Sequence, residues 1–391
     1  MHYRAMTAVF FSLTLAAAAQ VRAGEVERWN RLATDVSAAA QTDPLTESRV
    51  FSIMHAAMHD ALNAIERRYE PYRADLTATP GASPAAAVAA AAHAVLVELM
   101  PARRAAFDAA LAQVKDGRGA EVGRRAAALV LADRRDDGAN RPISWPAGRK
   151  PGEYRPTPPD YTPALFAHWG AIRPFVLASS AQFRPQAPVD SRAEREEVRA
   201  IGGQGSSVRT AEQGEIARYW YEHSTQGWNR IAREVAASRK LDEWQSARLL
   251  ALVNFAMADG FIGGFEAKYH YNYWRPASAI REAGDGAWLS YLQTPPVPDY
   301  PSTHTVLGAA AAAVLARFFG TDYVPFAMTS GAPYEGITRR FWSFSQAAQE
   351  NGASRVFAGV HFVSAVSAGY AQGERIGAWT YDRALRAVRP D

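Results

Sequence analysis

From Leu241 to Tyr269 the chain is long and apolar, with Ala and Gly interspersed. A helix that is apolar on every side has to be enclosed by other elements, so this stretch is the expected central helix of the fold. The remaining pattern is helical as well. Trp29, Leu32, Ala33 and Val36 fall at helical spacing before a break at Asp43-Pro44. Val50, Ile53, Met54, Met58, Leu62 and Ile65 mark one face of a helix expected over about Thr46 to Arg67. Further helices are expected at about Ala85 to Met100, Arg103 to Val114, Ala120 to Arg134, Asn229 to Ser238 and Thr305 to Phe319. Thr210-Ala-Glu-Gln213 has the spacing of a capping box, which predicts a helix from there to about His223. With no internal repeat and no alternating strand pattern of any length, the class is all-α, a helical bundle.

One region departs from this pattern. Prolines at 142, 146, 151, 156, 158, 159, 163, 174, 185 and 188 forbid long helices there. Tyr154, Tyr161, Phe166, Trp169, Phe175 and Phe183 nevertheless carry too much aromatic surface for a disordered linker. The expected organisation is therefore an N-terminal helical region (24–136), an ordered Pro- and aromatic-rich excursion (137–200) that packs over it and walls the pocket, and a catalytic helical bundle (201–391). Residues 24–391 are expected to form one globular unit.

The first residues have a basic start and a short apolar run that ends in Val21-Arg22-Ala23, read as a secretory signal cut after Ala23. The expected destination is secreted or periplasmic, and no other stretch reads as long and apolar enough to span a membrane. The net charge of +4 loses Arg4 and Arg22 with that segment, too little to argue for nucleic acid. The absence of cysteine rules out disulfides, thiolate catalysis and Cys-ligated metal.

Candidate chemistry gathers in the last third. Only four of the 43 basic residues are lysines, so Lys268 within Tyr-His-Tyr-Asn-Tyr-Trp-Arg275-Pro276 is informative where a single Arg is not. Lys268 and Arg275 are seven apart, which returns to nearly the same helix face, and burying two cations among aromatic rings calls for an anion to neutralise them. Pro301-Ser302-Thr303-His304 precedes a helix whose free amides and positive dipole end suit an oxyanion, with Ser302 as the N-cap and His304 in the first turn. Ser354-Arg355 and His361 form the third element, with Gly359 allowing close backbone approach. His55 and His59 at i and i+4 show neither a third ligand nor an intervening Glu. A polar cluster is expected there instead, with Asp60 reaching to one of the site arginines.

Together the three fragments resemble the three-part signature shared by vanadium-dependent haloperoxidases and the type 2 phosphatidic acid phosphatase superfamily. That signature reads Lys, six residues, Arg-Pro; then Pro-Ser-Gly-His; then Ser-Arg, five residues, His. The flanking Lys-Tyr-His-Tyr run and Gln372-Gly373 look like its secreted bacterial haloperoxidase-like branch. The resemblance implies vanadate as cofactor, with phosphate as an isosteric occupant, and His361 as the axial ligand of vanadate or the nucleophile toward phosphorus. It implies that Lys268, Arg275 and Arg355 neutralise the oxygens, that Ser302 and the Thr303 amide donate to them, and that His304 is the acid/base group. The expected activity is oxidation of halide by hydrogen peroxide to hypohalous acid. The alternatives are a secreted acid phosphatase working on phosphate esters through a phosphohistidine, and an oxyanion-binding protein without turnover. The long N-terminal region favours the haloperoxidase branch. Three positions depart from the family or its relatives: Thr303 replaces the usual Gly, Ala365 stands where an acid is frequent, so that another group, a backbone carbonyl for example, has to orient His361, and Val297 stands where bromide-oxidising relatives often have a second His.

Overall fold

The computed structural model describes residues 24–388, so the segment read as a signal lies outside the described residues. In chain order the helices are α1 (Glu25–Ala39), α2 (Pro44–Ile65), α3 (Pro84–Leu99), α4 (Arg104–Leu111), α5 (Ala120–Arg134), α6 (Arg192–Ile201), α7 (Ala211–Tyr219), α8 (Ser224–Ser238), α9 (Glu243–Tyr271), α10 (Pro276–Glu282), α11 (Thr303–Phe318), α12 (Phe344–Phe357) and α13 (Val363–Arg383). The all-α class holds apart from one antiparallel hairpin, β1 (Phe326–Thr329) with β2 (Thr338–Phe341), in register Phe326 to Phe341. Four-residue strands are too short to show a period in the sequence.

Local chemistry sets the helix boundaries. Asp43 caps α2 by accepting from the amides of Leu45 and Thr46, and Pro44 at the first position needs no partner, so the helix begins before Thr46. Capping boxes start α7 at Thr210 and α9 at Asp242. The expected run to His223 ends early, at Tyr219, and α8 begins at Ser224 instead of Asn229.

Helix α9 runs through the middle, packed by α1, α2, α8, α11 and α13, and Leu249, Val253, Phe255 and Met257 are fully buried along it. It is long and apolar enough by length and composition to cross a membrane, a match the sequence reading did not identify, and the other helices enclose it. Gly369, Gly373 and Gly377 form a four-residue stripe on α13 that lies directly on the backbone of α11. A Cβ at these positions would overlap the carbonyl oxygens of Ser302, Val306 and Ala310 respectively. This contact fixes the start of α11 against the start of α13, and the Ser302 amide donates to the Ala365 carbonyl across the junction at 2.9 Å.

Between α5 and α6 the excursion holds only a short turn, Trp169–Ala171, and is pinned by buried charges. Asp259 on α9 accepts from the amides of Phe175, Val176 and Leu177 at 2.7 to 2.9 Å. Arg134 donates to the carbonyls of Pro174 and Arg173 and pairs with Asp137 at 3.0 Å. Irregular backbone has no internal ladder, so side chains must satisfy it. Asp60 does the same for the amides of Tyr72, Arg73 and Ala74, which corrects the expectation that it reaches a site arginine.

His55 Nε2 lies 2.6 Å from Asn30 Nδ2 in a buried polar row that also holds Asn229, Asn254 and Arg233. Burial, aided by the Arg233 charge, pushes the His55 imidazole down to about 3. A base whose folded pKa is depressed contributes full stability above the unfolded value near 6.5 and loses it as pH falls. His55 alone should therefore take about 3 kcal/mol from the fold by pH 4. Thermal melts between pH 7 and pH 4 should show a shallower acid loss in His55→Gln than in the parent, and equal slopes would disprove this origin.

Candidate oxyanion site

Helix α9 stops at Tyr271, where Asn272 takes the left-handed conformation (φ 49°), and Arg275 stands beyond it as the N-cap residue of α10. Lys268 and Arg275 therefore do not share a helix face, as their seven-residue spacing suggested. A loop brings them together instead. Lys268 Nζ donates to the carbonyls of Pro298 (2.7 Å) and Asp299 (2.9 Å), and Arg275 Nε donates to that of Val297 (2.8 Å). Both side chains are essentially inaccessible to solvent. Burial and the mutual repulsion of the nearby cations hold the Lys268 ammonium well below its ordinary range.

The clamped loop delivers Asp299, whose Oδ1 lies 2.9 Å from His361 Nδ1 and 3.6 Å from Arg275 Nη1. Arg275 Nη1 lies 3.4 Å from His361 Nδ1 and 3.0 Å from its Nε2, and donates to the Val360 carbonyl at 2.6 Å. A guanidinium only donates and a carboxylate only accepts, so the ring proton is assigned to Nδ1, beside Asp299, with Nε2 as an acceptor toward Arg275. The group beside His361 Nδ1 is the Asp299 carboxyl, neither a backbone carbonyl nor a side chain at position 365. Burial raises the Asp299 carboxyl to about 7 even though Arg275 and Lys268 oppose it. Burial, followed by the charges of Arg275, Lys268 and Arg355, keeps His361 neutral well below its ordinary range. Gly359, in the left-handed region at φ 76°, lets the backbone before His361 pass against Gly202.

At the start of α11, Ser302 occupies the N-cap position without capping through its side chain. Its hydroxyl accepts from Thr305 Oγ1 at 2.9 Å, so the expected cap bond is not made. Thr303 fits because α9 carries Gly264 opposite it, where a Cβ would overlap the Thr303 methyl. His304 Nδ1 lies 2.9 Å from Ser224 Oγ, and its buried Nε2 has no partner. Burial and then Arg355 lower its pKa well below the ordinary value.

Arg355, in the last turn of α12, is 4% exposed and 5.5 Å from the Tyr221 ring centroid, and its Nε has no hydrogen-bond partner. Among the described residues no carboxylate pairs with it. Burial lowers it to about 10, so it remains a cation at neutral pH. Arg275, Thr303, His304, Arg355 and His361 line one cavity of about 310 Å³. Leu165 and Phe166 of the excursion, with Phe261, Phe265 and Val297, form an apolar wall to it. Lys268 and Ser302 are fully buried and are absent from the cavity lining.

Sequence reasoning missed Asp299 and Ser224. Asp299 left a signal as the only acid between Asp285 and Asp322, directly upstream of Pro301-Ser302. Ser224 left none, because its role depends on α8 starting there.

The fold is similar to that of bacterial vanadium haloperoxidases of known structure. Residues 248–390 match the family described as VCPO second helical-bundle domain. A solved structure described as the first bacterial vanadium-dependent iodoperoxidase superposes with a TM-score of 0.85 at 27% identity, over 94% of this chain and 98% of that one. A holo-type bacterial vanadium-dependent chloroperoxidase shares the fold with a TM-score of 0.74 at 18% identity, over 87% of this chain and 91% of that one. The vanadium chloroperoxidase of Curvularia inaequalis is 30% identical over 116 residues, 24% of this chain and 19% of that protein's length.

The Gly264–Thr303 contact is directly testable. Gly264→Ala should cost about 1–3 kcal/mol by overpacking, and adding Thr303→Gly should recover most of it. Denaturant midpoints that leave the double variant as unstable as Gly264→Ala would reject the contact as the cause.

Proposed function

We propose that the chain is a vanadate-dependent haloperoxidase that oxidises halide with hydrogen peroxide to hypohalous acid. The observation that carries this reading is the unpaired, buried guanidinium of Arg355, facing a cavity shared with two neutral imidazoles, one of them backed by a carboxylate. Such an excess of buried positive charge suits a small, multiply charged anion.

The residues present fit vanadate. Nε2 of His361, which faces Arg275 Nη1 at 3.0 Å, would be its ligand, with the Asp299 carboxyl beside Nδ1 as the partner suited to fix tautomer and orientation. Arg355 and Arg275 would neutralise its oxygens and the Thr303 amide at the α11 terminus would donate to them, while Lys268 acts from behind the loop by holding Asp299 and adding its charge. When bound, vanadate supplies a Lewis acid that makes peroxide electrophilic toward halide. His304 would take a proton from peroxide at Nε2, a role supported by Ser224 at Nδ1 and by the burial that keeps the ring neutral. The apolar wall of Phe261, Phe265 and Phe166 limits water around the reacting atoms. Export through the N-terminal segment is part of the same proposal.

The test is halogenation of a phenol dye by the protein with peroxide and iodide, bromide or chloride, with and without orthovanadate, beside phosphate-ester hydrolysis without vanadate. Halogenation should require vanadate and vanish in His361→Ala. In Arg355→Ala the affinity for orthovanadate, read by calorimetry, should fall by about a hundredfold, as expected for a lost charge-assisted contact. Hydrolysis with no halogenation would replace this reading with the phosphatase.

A further inference from the structure

We propose that His223 and Glu47 form a proton-relay pair at the mouth of the oxyanion cavity, feeding His304 from solvent. The inference rests on the haloperoxidase reading. Three imidazoles line the cavity among the described residues: His223, His304 and His361. The His223 side chain is 37% exposed; His304 is partly exposed but its Nε2 is shut off, and His361 is 3% exposed. His223 is the residue before Ser224, whose hydroxyl meets His304.

Glu47 explains why an imidazole sits there. It lies in the first turn of α2 and is fully buried. Oε1 accepts from Gln226 Nε2 at 2.8 Å, and Oε2 lies 3.4 Å from His223 Nδ1. A buried carboxylate with one neutral donor needs a cation, and among the described residues the only ion-pair partner of Glu47 is His223. The other charged and titratable groups acting on this ring are Asp43 at the start of α2, Glu222 beside it and His304 on α11. Glu222 is itself paired with Arg230. Burial lowers the His223 pKa, but Glu47, Asp43 and Glu222 outweigh it and leave the ring above its ordinary value.

The reaction needs such a source. Hydrogen peroxide, halide and one proton give hypohalous acid and water. The O–O bond breaks, the halide loses two electrons to peroxide, one oxygen ends on the halogen and the other leaves as water. His304 can return the proton it took, but each turnover consumes one more. The imidazolium of His223 supplies it across the cavity, Glu47 keeps the ring poised to recharge, and the exposed face takes a proton from bulk.

The experiment follows kcat for iodide oxidation by the vanadate-loaded full chain between about pH 5 and pH 9, for the parent, His223→Gln and Glu47→Gln. Beside it, NMR titration of the histidine ring protons is run on the protein without vanadate. In His223→Gln, kcat at pH 7 should fall about tenfold, the alkaline limb should move to lower pH, and imidazole in the buffer should restore the rate. In the NMR titration His223 should ionise above 6.5 in the parent and lower in Glu47→Gln. A pH profile that keeps its shape in His223→Gln, or a His223 that titrates at or below 6.5, overturns the relay while leaving the haloperoxidase reading intact. A parent that never halogenates with vanadate overturns both.

Discussion

Three cations, Lys268, Arg275 and Arg355, are buried within electrostatic reach of one another, and among the described residues Asp299 is the carboxylate whose charge acts on both Lys268 and Arg275. Everything around the site follows from how the fold tolerates that charge. Two of the cations are tied to backbone carbonyls of residues 297–299, which lowers their desolvation cost and also fixes the loop that carries Asp299. Arg355 has no such tether. Burial, and then the same field, keeps His304 and His361 neutral among positive charges.

Such a field is useful only if its sources cannot move apart. The glycine stripe of α13 against the backbone of α11 is the main device, because close backbone contact leaves no long side chains to slide or repack. It ties the helix start that carries Ser302, Thr303 and His304 to the segment that carries His361. The excursion, pinned by Asp259 and Arg134, closes the third side and contributes Leu165 and Phe166 to the cavity. Chain without regular structure is thereby made rigid enough to wall a site.

Thr303 illustrates how a departure from a family pattern is absorbed. A side chain at that position would crowd the cavity entrance or the helix behind it, and Gly264 on α9 supplies the missing space. The pair lies 39 positions apart in the chain, so neither residue explains itself alone.

Read from the chain alone, the helical class, the central place of α9 and the three motifs were legible, because apolar periodicity, capping residues and motif spacing are local properties of sequence. The helix register around Lys268 was misread: a seven-residue spacing says nothing about where a helix stops, and Asn272 ends it first. Asp299 as the partner of His361, Asp60 as a backbone clamp, Ser224 beside His304 and Gly264 opposite Thr303 were decided only by tertiary structure. Each is a contact between segments distant in the chain, set by which surfaces pack and which buried polar groups need partners. Sequence determined which groups exist and on which elements they ride; only the packed fold decided which of them would face one another, since burial creates the need that each pairing answers.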